Sequence, residues 1–117
     1  MPREAALAAR VVSWLEAQRW DVYQEVEHRG DIADIVAVRA GLVWVIETKV
    51  TFSLAVMHQA ARWAVHYRSV AVPWAKRGWD ERKIAERICG DFLQVGVLYL
   101  DGPQVDPHGG YHYGSEH

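Results

Sequence analysis

Two β-branched runs, "DIADIVAV" from Asp31 and "LVWVIETKV" from Leu42, are separated only by Arg39, Ala40 and Gly41. Val and Ile are stiff at χ1 and fit a pleated surface better than a helix. A Gly closing so short a connection suits a tight hairpin. The two runs therefore predict adjacent antiparallel strands. The second is apolar on both faces until Glu47, as expected of a central strand covered on both sides. The rest of the chain must be built outward from that hairpin.

Ahead of it, Leu7, Val11, Trp14, Leu15 and Gln18 recur at spacings of three and four, which predicts an amphipathic helix over Pro2 to Gln18. Pro2 and Glu4 suit its first turn. From Trp20 the spacing shortens and "WDVYQEVEH" reads as a strand closed by the turn "HRGD". After the hairpin, Ser53 is a plausible cap for a helix over Leu54 to Tyr67. "SVAVP" is then a short strand halted by Pro73, Asp80 can cap a helix running to about Phe92, and "LQVGVLYLDG" reads as a last strand. The order α-β-β-β-α-β-α-β predicts an α/β fold, a mixed central sheet flanked by helices. Residues 1–102 are expected to form one domain. "PQVDPHGGYHYGSEH", residues 103–117, has no periodic apolar pattern and reads as a flexible tail.

With 117 residues, half of them hydrophobic, one core is affordable and two are not. The longest apolar run, Gly41 to Ile46, is far below the ~20 residues of a membrane span, and the N-terminus lacks a secretory apolar segment. A cytoplasmic protein without membrane contact is expected. Cys89, the single cysteine, has no partner for a disulfide or a metal knuckle and reads as core packing. A net charge of −2 argues against coating nucleic acid by bulk attraction, and leaves room for a local basic groove.

The chemistry concentrates where the hairpin strands end. Side chains two apart on a strand share a face, so Glu47 and Lys49 are expected on one side. Antiparallel pairing through the hairpin brings Asp34 beside Glu47. Two neighbouring carboxylates repel unless a cation or proton offsets them, and oxygen ligands suit Mg²⁺ or Mn²⁺. Such an ion beside an ammonium group points to phosphodiester hydrolysis. The plainer alternative is a cross-strand ion pair in an unrelated α/β topology.

Asp34, the Glu47-Thr48-Lys49 triplet and the α-β-β-β-α-β order together resemble the PD-(D/E)xK nuclease superfamily, with its restriction-endonuclease-like core and, here, an added C-terminal helix and strand. The resemblance runs from about Glu4 to Pro73, although Ala33 stands where the family motif has Pro. It implies that Asp34 and Glu47 bind the metal, that the Thr48 backbone carbonyl joins them, and that Lys49 aids the attacking water. Asp31 competes for the first acidic position; Asp34 is preferred because it lies within the strand, whereas Asp31 follows Gly30 in the turn. "QAARW" from Gln59 to Trp63 resembles the Q-x-x-x-Y motif of the branch containing RecB-like nucleases and Holliday-junction resolvases, which implies a supporting role for Gln59. In that branch a further carboxylate is common, and Glu25 and Glu4 are equal candidates for it.

Arg62, Arg68, Lys76, Arg77, Arg82 and Lys83, with Trp63, Trp74 and Trp79, suggest a face for phosphates and bases, each also readable as solubility or core. His58 and His66 read as surface or core-edge residues. His108 and His112 have metal-like spacing in a segment too poor in helix formers to use it. The expected protein is a metal-dependent deoxyribonuclease with DNA as partner, acting as a homodimer or within a larger nuclease complex. The alternative is a non-catalytic DNA- or partner-binding module of the same fold.

Overall fold

In the computed structural model, which describes residues 2–74 and 79–108, two turns set the geometry of the first half. Arg29 and Gly30 have φ of 54° and 84°, and Ala40 and Gly41 have φ of 51° and 80°. Positive φ at both central residues gives the primed two-residue turns whose twist matches that of paired strands. They join β1 (Asp21–His28), β2 (Asp31–Arg39) and β3 (Leu42–Thr48) into an antiparallel meander. Helix α1 (Pro2–Ala17) precedes it. The helix ends where Arg19 enters the left-handed region at φ 69°, and Arg39 of β2 donates to the Gln18 carbonyl at 2.6 Å.

Helix α2 (Leu54–Ala61) leads to β4 (Tyr67–Pro73), parallel to β3. Helix α3 (Trp79–Arg87) passes into a π-helical segment, Ile88–Leu93, before β5 (Gly96–Asp101) pairs parallel to β4. Strand β6 (Gln104–His108) closes the sheet antiparallel to β5, giving the order β1-β2-β3-β4-β5-β6. The sheet is mixed, with helices on both faces, and β3 lies inside it as its apolar sequence requires.

Alternation sorts the core into two layers. Leu7, Val11 and Leu15 of α1 pack with Ile35, Trp44, Ile46 and Leu98 on one face. Val56, Met57 and Ala60 of α2 pack with Val70, Val72, Cys89 and Val97 on the other. Full burial of each large aliphatic side chain contributes about 1.5–3 kcal/mol. The indole of Trp44, wholly buried, donates to Ser69 Oγ at 3.0 Å, so its polar atom is satisfied inside the α1-side layer.

Three expectations are corrected. Helix α2 stops at Ala61 instead of Tyr67, because the Arg68 guanidinium binds the carbonyls of Ala61 and Trp63 and turns the chain back toward the sheet. The helix expected to run to Phe92 changes pitch at Ile88. Residues expected as tail instead supply β6, where only Val105 and Pro107 face inward, too short an alternation to stand out from the polar residues around it. Lys76, Arg77, His112 and the side chains of Trp79 and Asp80 lie outside the described residues. Among the described residues no helix is long and apolar enough to cross a membrane.

Candidate active site

Pairing between β2 and β3 runs from Arg39 and Leu42 to Ile35 and Ile46, and there it stops. The next rung, Asp34 opposite Glu47, is made by side chains. The Asp34 backbone N–H donates to Glu47 Oε1 at 3.4 Å. The Thr48 N–H donates to Asp34 Oδ2 at 2.8 Å, and the Thr48 hydroxyl lies 3.3 Å from the same oxygen. Each acid thus fills the gap that the other strand leaves open, satisfying N–H groups that lost a ladder partner.

Strand β2 twists as it parts from β3. Ala33 packs with Val45 and Trp63, whereas Ile35 lies in the α1-side core. On a regular strand residues two apart would share a face. Opposite Asp34 on β1, Glu25 has φ 54°, a left-handed conformation uncommon for a residue with a Cβ. The twist turns Asp34 into a cleft of about 200 Å³ beneath α1, lined also by Glu4, Glu25 and Thr48.

Glu47 takes the other direction. Its carboxylate is fully buried, accepting from Trp63 Nε1 at 2.7 Å and from Gln59 Nε2 at 3.2 Å. Ser53 fixes the approach of the helix that brings Gln59, accepting from the Val56 N–H at its N-terminus. Burial first, and then the neighbouring Asp34 charge, push the Glu47 carboxyl up to about 7, against the opposing effect of the Trp63 hydrogen bond. At neutral pH this acid is poised between its two forms.

The expectation that Glu47 and Lys49 share one side is corrected. Strand β3 ends at Thr48, so its alternation does not extend to Lys49, whose Nζ lies 4.0 Å from Glu4 Oε2 on α1. Asp34, Glu47, Thr48 and Gln59 are linked by hydrogen bonds; Lys49 contacts Glu4, which lines the Asp34 cleft together with Glu25. Asp31 is three positions away and faces Arg62, at 3.4 Å. Arg68 donates to the carbonyls of Ala61, Trp63, Leu93 and Gln94, which commits the guanidinium to the fold and not to a nucleic-acid face. His66 accepts from the Val43 N–H.

Two contacts are not legible in the sequence. Trp63 reads there as the aromatic of a short motif and as part of a basic, aromatic face, and its bond to Glu47 depends on the turn after α2. The bond from the Thr48 hydroxyl to Asp34 is the second, since the family resemblance involves only the carbonyl of that residue. Among the described residues no group of three or more His, Cys, Asp or Glu side chains converges closely enough to hold an ion alone. Two carboxylates, a carbonyl and retained water molecules are nevertheless a donor set that Mg²⁺ accepts, since it usually keeps several waters beside one or two carboxylates. No protein-family model and no curated protein matches the chain.

Proposed function

We propose that the chain is a metal-dependent nuclease that hydrolyses DNA phosphodiester bonds with Mg²⁺ or Mn²⁺. The observation that carries this reading is the contact between Asp34 and Glu47, two carboxylates locked to each other's strands with one of them buried. A buried acid beside a second acid is stabilised by a proton or by a divalent cation. Asp34, Glu47 and the Thr48 carbonyl would hold the ion. When bound, it supplies Lewis acidity to a phosphoryl oxygen and acidifies a bound water.

The protein's own groups have separable tasks. Gln59 and Trp63 fix the Glu47 carboxylate, and Thr48 fixes Asp34, so both acids are oriented before substrate arrives. Lys49, paired with the cleft residue Glu4, would supply positive charge to the phosphoryl oxygens on which charge develops during hydrolysis. Glu4 holds that ammonium within reach of the cleft, and Glu25 offers a carboxylate to the attacking water.

The second reading, a DNA- or partner-binding module without catalysis, is favoured by one detail: Glu47 already accepts from Gln59, Trp63 and the Asp34 N–H. Cleavage of supercoiled, linear, single-stranded and branched DNA in Mg²⁺, Mn²⁺ or EDTA separates the two. The nuclease reading expects metal-dependent cutting, reduced about 10²–10³-fold in Lys49→Ala. Folded protein that binds DNA and leaves every form intact with either metal would establish the binding module instead.

A further inference from the structure

On the opposite side of the sheet from the Asp34 cleft, the early end of α2 leaves part of β1, β2 and β3 uncovered. A cavity of about 410 Å³ results, floored by Val36, Val43 and Val45 and walled by Trp63 and His28. Its volume is within the range of small-molecule sites, and it combines an apolar floor with a few polar groups at the rim. Arg29 and Arg62 stand at that rim with Glu27 and Asp31. Arg62 is held by Asp31 at 3.4 Å.

From the ring pair, the rim charges and the link to Glu47, we propose that this cavity binds one unpaired nucleobase of the substrate, stacked against Trp63, and so selects DNA with single-stranded or extruded nucleotides. The assignment rests on the nuclease reading and adds to it a substrate class.

Three observations support this occupant. First, the His28 and Trp63 ring centroids are 6.5 Å apart and their planes are inclined by 40°. Stacked bases repeat about every 3.4 Å along a strand, so a plane sandwiched between two rings needs about 7 Å. His28 is exposed at the end of β1, so its ring is not held by core packing. Second, the rim offers guanidinium groups for flanking phosphates and carboxylates that can accept from the amino groups of bases. Third, the cavity is joined to the acids. Trp63 donates to Glu47, and Ala33 of the cavity wall directly precedes Asp34. Trp63 thus belongs both to the cavity wall and to the hydrogen-bonding shell of Glu47. A base kept in a duplex stack cannot enter.

The test is equilibrium binding of the full chain to a short labelled single strand and to the matching duplex, in EDTA, beside His28→Ala and Val65→Trp. His28 is exposed and its removal leaves the core intact, while the half-buried Val65 lines the cavity, so a Trp there fills it. The wild-type chain is expected to prefer the single strand, and each variant to bind it about tenfold more weakly, the scale of one lost base stack, with duplex affinity unchanged. Single-strand affinity unchanged in both variants, or a wild-type preference for duplex, overturns the proposal. So does a Val65→Trp effect traced to loss of a concentration-dependent dimer, which makes the surface an interface between copies. Metal-dependent cutting with no role for the cavity leaves the nuclease reading standing alone. Variant-sensitive single-strand binding without cutting in any metal keeps the base site and removes the nuclease. Absence of binding to either DNA overturns the base site, and cutting in Mg²⁺ or Mn²⁺ then decides the nuclease reading by itself.

Discussion

Glu47 is a carboxyl group whose surroundings favour its neutral form. Because its folded value is raised to about 7 from 4.5, the stability it contributes is complete below pH 4.5 and is lost as pH rises through 7. In EDTA the wild-type chain should therefore weaken across that window, by on the order of 3 kcal/mol for this group. Glu47→Gln cannot titrate and should lack that part of the slope, whatever its absolute stability; urea denaturation across the window measures both. Parallel slopes would mean that Glu47 is solvated enough to ionise freely. The Glu-Thr-Lys triplet and an Asp on the adjoining strand were legible because hairpin pairing is local and Gly41 marks its turn. The partners that tune Glu47 were not, since the bond from Trp63 requires a helix to end at one particular residue.

That ending is the work of a neighbouring strand. Arg68 of β4 donates to four main-chain carbonyls, one on the last residue of α2, one in the turn after it and two at the close of the π-helical segment. Carbonyls at helix ends lack intrahelical partners, and a guanidinium fork can serve several at once. Replacing Arg68 by Ala should cost about 3 kcal/mol by urea denaturation, the scale of a few charge-assisted hydrogen bonds. It should also lower any metal-dependent activity, by releasing Trp63 from its place against Glu47. A change below about 0.5 kcal/mol, the level of an ordinary surface substitution, would refute the clamp. Sequence periodicity carried α2 through to Tyr67 because Ala64 and Val65 continue its pattern. An arginine in a strand gives no sign that it will stop the preceding helix.

Across the whole sheet the two edges are protected in different ways. The β1 edge carries Asp21, Glu25 and Glu27 and is kinked at Glu25, and charge and irregularity of that kind discourage pairing between molecules. Strand β5 is buried from Gly96 to Leu100 and depends on β6 to cover its open side. Deleting residues 103–117 should expose "GVLYL" as a bare apolar edge and produce aggregation, seen by light scattering during purification. A monodisperse truncated chain would show that β6 is dispensable. The central strands were readable from their continuous apolar runs, while β6 was hidden by its polar composition. The two primed turns also set an order in time. The meander pairs residues close in sequence and can close within about 1–10 μs per hairpin, whereas β4 and β5 must wait for their helical crossovers. Asp34 and Glu47 therefore meet while water still surrounds them, and their repulsion becomes acute only when α2 docks. Desolvation of an assembled acidic pair, and not its assembly, is then the late event on the path to the native chain.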